Sequence, residues 1–251
     1  MLNHPTLEKL QAMRLFGMAK AFQEQISHPP NSGLTFEERL GLLVDREMTE
    51  RDDKRLQTLL RNAKLRQPAC LEDVDAKSSR GLDRTLLPQF MAPDWIRQAR
   101  NVFITGPTGV GKTFLACALG QQACRLGYSA YYARTPRLYQ ELALGKGDGR
   151  YGKLLASLAK KDVLILDDWG LVPMTDEQVR DLFEIAEDRH GSRSMIIASQ
   201  VPPEEWHQSI GDPTLADAIL DRIVHQAYKI KLTGGTRRDP KSRKPQTEQA
   251  E

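Results

Sequence analysis

Between an apolar run at residues 101–105 (NVFIT) and a helix-favouring run that follows, the chain reads Gly106, Pro107, Thr108, Gly109, Val110, Gly111, Lys112 and Thr113. This is a complete GxxxxGK[ST] phosphate loop in strand-to-helix context. Glycines let the backbone curl so that successive N–H groups face an anion, and the following helix N-terminus adds partial positive charge. Lys112 is placed to reach the β and γ phosphates of ATP, and the Thr113 hydroxyl to ligate Mg²⁺. The alternative is a glycine-rich turn with no ligand, and the full match in the expected context argues against it.

A second run, VLIL at 163–166, ends in Asp167 and Asp168. A buried strand that delivers two carboxylates at its end is what a nucleotide site in a parallel sheet requires. Asp167 is the candidate metal ligand, and Asp168 the candidate for polarising an attacking water. A loop or capping carboxylate is the other reading of Asp168. A third strand, 194–198, leads into Ser199 and Gln200, which could orient water or sense a γ phosphate if that strand lies between the other two; a plain loop role is open as well. Arg222, late on a helix in LADAILDRIVH, suits an arginine finger for a neighbouring subunit or a surface cation near a helix C-terminus. Tyr128, Tyr131 and Tyr132 could stack on bases, although aromatic residues in a strand are more often core.

These residues need a scaffold. From about residue 101, short apolar runs alternate with helical stretches, the pattern of an α/β fold with a parallel sheet covered on both faces. Before it, residues 1–67 read as a small all-helical domain. A first amphipathic helix carries Leu7, Leu10, Met13, Gly17 and Ala21 and stops at residues 28–33 (HPPNSG). A second opens at Thr35 with capping-box spacing to Glu38, and a third follows Thr49 until Gln67-Pro68 ends it. Residues 68–236 form the ATPase domain, and the polar, basic stretch 237–251 cannot bury a core and is expected to be disordered. The basic flanks at Lys54 to Arg66 and the group Arg137, Lys146, Arg150 and Lys153 could meet DNA phosphates or simply be solvated.

With 36 Lys and Arg against 33 Asp and Glu, the net charge of +3 is too small to argue for nucleic acid by itself. Three cysteines, Cys70, Cys117 and Cys124, form no CxxC pair and argue against a disulfide or zinc framework. The start MLNHPTLEKL lacks a signal-peptide pattern, and no apolar run approaches the roughly 18 residues of a membrane span. A cytoplasmic protein with no membrane partner is the expectation.

The chain resembles the IstB-type ATPases, AAA+ helpers of a class of bacterial insertion sequences related to the DnaC helicase loader and the DnaA initiator. The resemblance runs nearly end to end: RLFGMAKAFQEQ, LTFEERLGLLVDRE, GPTGVGKTFLACALG, LLASLAKKDVLILDDWG, IIASQVPPEEWHQSIGDPTLADAILDRIVH and KIKLTGG. The phosphate loop is widespread, whereas the N-terminal runs and WHQSIGDPTLADAILDR are far more specific. The resemblance implies an Mg²⁺-dependent ATPase that forms a homo-oligomer on double-stranded DNA and works with a transposase of the IstA type in target-site selection and transposition. It places Arg222 where this clade carries its arginine finger, and the helices at 136–160 where initiators carry a DNA-tracking insertion. Two departures stand out: Asp168 replaces the usual Glu, and Gln200 the usual Asn. The chain also ends too soon for a helical lid, so a sensor arginine would have to be Arg237 or Arg238, or be absent. Competing readings are a DnaC-like replicative helicase loader, a small-molecule P-loop kinase, for which no acceptor pocket or lid is legible, and a nucleotide-switched scaffold.

Overall fold

Sequence patterning, helix capping and chain reversals are set out in a computed structural model that describes residues 4–27, 33–74, 81–82, 85–225 and 227–236. By contacts the chain divides into two compact units, Met1–Thr58 and Leu59–Glu251.

In the first unit the stripe expected to form one helix is split into α1 (Pro5–Ala12) and α2 (Phe16–Ser27). Apolar spacing carries through the break, but Arg14 takes a left-handed φ of 60°, which no helix accommodates. The amides of Gly17 and Met18 then lack intrahelical acceptors, and Glu47 supplies one: its Oε2 accepts from them at 2.7 and 3.1 Å. Glu47 lies on α3 (Phe36–Ala63), which opens with the expected capping box. The Thr35 amide donates to Glu38 Oε2 at 2.7 Å and the Glu38 amide to Thr35 Oγ1 at 3.3 Å. The expected restart after Thr49 is absent, because the Thr49 hydroxyl donates back to the Asp45 carbonyl at 2.9 Å and the helix runs on for 28 residues. It ends at Ala63, before Gln67-Pro68, where Lys64 turns left-handed at φ 50°.

The second unit is built on a five-stranded sheet covered by helices. After the short helices α4 (Leu86–Met91) and α5 (Asp94–Arg97), the chain runs β1 (Val102–Thr105), α6 (Lys112–Arg125), β2 (Ala130–Arg134), α7 (Thr135–Gly147), α8 (Tyr151–Ala159) and β3 (Val163–Trp169). It closes with α9 (Asp176–Arg189), β4 (Ser194–Ser199), α10 (Trp206–Ile210), α11 (Pro213–Val224) and β5 (Tyr228–Lys231). The strand order is β2-β3-β4-β1-β5, and every pairing is parallel. β4 therefore lies between β1 and β3, the condition set for Ser199 and Gln200 to approach the phosphate site. Strands β1, β3 and β4 are buried almost throughout, as continuous apolar runs require. Phe103, Trp169 and Trp206 interlock on one face, with ring centroids 4.9 and 5.3 Å apart. Residues 237–251, with Arg237 and Arg238, lie outside the described residues.

Candidate functional site

All the strands point their C-terminal ends at one edge, and the phosphate loop leaves β1 there. The loop's glycines hold φ values closed to other residues: 144° at Gly106, 84° at Gly109 and 108° at Gly111. Close approach matters as well, since a Cβ on Gly106 would come within 2.3 Å of the Leu232 carbonyl and one on Gly109 within 2.3 Å of Thr236 Oγ1. The segment after β5 thus lies against the loop, a role for KLTGGT that composition could not reveal. Around Gly111 a Cβ would meet nothing within 4 Å among the described residues, which is the open side of the cradle. Pro107 and Thr108 are exposed, and Val110 is buried beneath the loop. Lys112 Nζ donates to the Gly106 and Pro107 carbonyls at 2.7 and 2.8 Å, so its ammonium already sits within the loop.

The Thr113 hydroxyl donates to Asp167 Oδ2 at 2.8 Å, joining the two proposed metal ligands. An alcohol beside a carboxylate is an all-oxygen donor set that suits Mg²⁺. Among the described residues no group of three or more His, Cys, Asp or Glu is assembled, so an ion held here would complete its shell with phosphate oxygens and water. Asp167, 1% exposed, is further held by the Tyr132 hydroxyl at 2.7 Å, and its backbone carbonyl accepts from Thr135 Oγ1 at 3.0 Å. Arg66 Nη1 stands 3.8 Å from the same Oδ2. Hydrogen bonding to Tyr132 raises the pKa of Arg66, while burial and the bond to Asp167 raise that of the Tyr132 phenol.

β3 does not stop at Leu166. Leu166 pairs with Ile197 and Trp169 with Ser199, a step of three residues against two. The extra residue makes a bulge that re-aims side chains next to a site. Asp168 sits in it with φ 59°, a conformation costly for a residue other than glycine. Its carboxylate accepts from Arg134 Nε at 2.7 Å, and its amide donates to Asp167 Oδ1 at 3.0 Å.

Residues 8–245 match the family described as IstB-like ATP binding protein. The chain belongs to that family. It is 53% identical, over 97% of its length and 100% of the relative's, to an insertion sequence ATP-binding protein of Sinorhizobium fredii. An insertion sequence ATP-binding protein of Pseudomonas fluorescens is 54% identical over 80% of this chain and 88% of its own. Among solved structures, the DnaC helicase loader is similar with a TM-score of 0.55 at 20% identity, covering 66% of this chain and 97% of that one. Replication initiator DnaA bound to AMPPCP and single-stranded DNA gives 0.55 at 21%, covering 69% and 53%. The fold is that of the AAA+ P-loop ATPases.

In this IstB-like protein the remaining candidates fall in three places. Gln200 is exposed and accepts from Thr108 Oγ1 at 2.7 Å, which ties the end of β4 to the phosphate loop. Ser199 is buried; its hydroxyl donates to the Trp169 carbonyl at 2.8 Å and accepts from the Val201 amide at 3.0 Å, bracing the bulge from the neighbouring strand. Arg222 lies at the opposite edge of the sheet. It pairs with Glu187 on α9, lies over the Phe183 ring at 5.0 Å, and the next residue's carbonyl accepts from Asn101, just before β1, at 2.7 Å. The basic candidates for DNA are partly engaged: Lys146 with Glu177 and Asp181 at 2.9 and 2.6 Å, and Arg150 with Asp148 at 2.8 Å. Arg137 and Lys153 are exposed. Of the tyrosines, Tyr132 serves Asp167, Tyr128 accepts from Arg97 Nε at 3.2 Å, and Tyr131 carries Lys64 over its ring at 5.4 Å. Arg66, read from sequence only as part of a basic flank, and Arg134 are the site residues that spacing missed. No helix among the described residues is long and apolar enough to cross a membrane.

Proposed function

We propose that this chain is an Mg²⁺-dependent ATPase that oligomerises on double-stranded DNA and assists an IstA-type transposase in target-site selection and transposition. The observation that carries the reading is the separation of parts: phosphate loop, Thr113, Asp167 and Asp168 at one edge of the sheet, Arg222 at the other. A guanidinium so placed serves another subunit's nucleotide, which makes turnover depend on assembly.

The loop amides and Lys112 bind the phosphates, the ammonium exchanging its contacts with the Gly106 and Pro107 carbonyls for phosphate oxygens. Thr113 and Asp167 would hold Mg²⁺, which when bound would neutralise charge developing on the leaving group. Asp168 orients and polarises the attacking water. Its short side chain and its pairing with Arg134 favour slow turnover until DNA or a partner rearranges the site. Gln200, tied to Thr108, aligns water or registers the γ phosphate, with Ser199 supporting the strand end. The helical region 1–67 serves oligomerisation or meets DNA or a partner, and 68–236 carries the ATPase.

Phosphate release, nucleotide binding and electron microscopy with duplex DNA, each with and without ATP, test this together. Lys112→Ala should lose nucleotide binding, Asp168→Asn should lose turnover, and Arg222→Ala should bind normally yet turn over slowly in the assembly. Normal turnover by the Arg222 variant would reject the shared site, and recovery of a replicative helicase instead of a transposase in pull-downs would overturn the partner.

A further inference from the structure

At the edge of the sheet opposite the phosphate loop, a cavity of about 210 Å³ is lined by Arg100, Arg189, Arg193, Arg222, His190 and His225, and, among the described residues, by no carboxylate. That volume far exceeds the ~15 Å³ that admits one water. Two of the arginines have acidic partners behind the lining, Arg222 with Glu187 and Arg193 with Asp162 at 3.6 Å. The other two form no ion pair among the described residues, although Asp162 and Asp188 stand near enough to Arg189 to favour its charge. Arg189, 1% exposed, donates only to carbonyls, those of Leu158, Asp162 and Ser194 at 2.8, 3.3 and 2.6 Å. Arg100 Nη1 donates to the Tyr228 hydroxyl at 3.2 Å. The Nε atoms of both are buried with no hydrogen-bond partner among the described residues.

A buried guanidinium with no direct ion pair is costly. Burial, and then the charge of Arg193, push Arg189 down to about 9 against the opposing pull of Asp162 and Asp188. An anion would offset that cost, and planar guanidinium donors match the geometry of phosphate oxygens. We propose that this cavity is an oxyanion site that takes a phosphate group, either free inorganic phosphate or the phosphodiester of a nucleic acid strand. The site stands apart from this chain's own phosphate loop, although it shares Arg222 with the proposed contact to a neighbouring subunit's nucleotide.

The test uses the full chain carrying Lys112→Ala, which disables the phosphate loop, and titrates inorganic phosphate by calorimetry at constant ionic strength. Saturable binding is expected, weakened tenfold or more by Arg193→Gln and by Arg100→Gln, with unchanged thermal unfolding in the absence of phosphate. Displacement of phosphate by a short duplex oligonucleotide supports the site with phosphodiester as its source; no displacement supports it with free phosphate. Absence of saturable binding, or binding indifferent to both substitutions, overturns the site.

Discussion

Tyr132→Phe removes one oxygen atom from the floor of the phosphate site, and with it the hydroxyl's contacts to Asp167 and Arg66. The lost bond runs 2.7 Å to a carboxylate that is 1% exposed, so it belongs with hydrogen bonds to charged groups, about 1.5–3 kcal/mol each. Asp167 Oδ2 would keep the Thr113 hydroxyl at 2.8 Å and Arg66 at 3.8 Å, which places the expected loss at the lower end, about 1.5–2 kcal/mol. In a unit of this size that is a fall of about 3–8 °C in Tm. Thermal unfolding of the nucleotide-free protein, followed by circular dichroism, reads it directly. A Tyr132→Phe variant melting within about 1 °C of the wild type would mean that the phenol does not hold the carboxylate at the site's floor.

Arg66→Gln should tighten Mg²⁺ binding in the presence of ATP, because a positive charge beside Asp167 opposes a cation. At about 4 Å the interaction is worth about 1 kcal/mol in water and about 4 at intermediate dielectric. Arg66 is 46% exposed, so the screened figure applies and the half-saturating Mg²⁺ concentration should drop about fivefold; a rise would refute the electrostatic account. Arg134→Gln frees Asp168 from its 2.7 Å partner and should raise turnover measured without DNA, and an unchanged basal rate would remove Arg134 from control of that carboxylate. Burial acts to raise the Glu47 carboxyl, but the bond from Arg51 and the Met18 and Gly17 amides outweigh it and the net shift is downward. Its contribution is therefore present at neutral pH and lost as pH falls from about 4.5 through the lower folded value. Denaturant unfolding should find Glu47→Gln about 1–3 kcal/mol less stable at pH 7, with the gap closing in acid; a gap independent of pH would contradict the linkage.

Much of the site was legible because a phosphate loop is a local device: eight consecutive residues fix the turn, the lysine and the hydroxyl. The alternation of apolar runs and helices likewise announced a parallel sheet. What stayed hidden depends on pairing between distant segments. The bulge at Asp168 exists because β3 takes three residues where β4 takes two, a mismatch no single strand displays. Arg66 and Tyr132 looked like a basic flank and a core aromatic until tertiary packing brought them to Asp167. Helix ends misled for a related reason. Thr49 has the chemistry of a cap but bonds to its own preceding turn, and the apolar stripe through α1 and α2 keeps helical spacing across a left-handed Arg14.

The central claim, a site completed between subunits, is tested most directly by mixing two inactive variants. Asp168→Asn lacks the base but retains Arg222, and Arg222→Ala retains Asp168. In an equimolar assembly about one interface in four joins an intact Asp168 site to an intact Arg222. Phosphate release by the mixture in the presence of DNA should therefore recover to about a quarter of the wild-type rate, with each variant alone near background. A mixture no more active than its separate components would contradict the account.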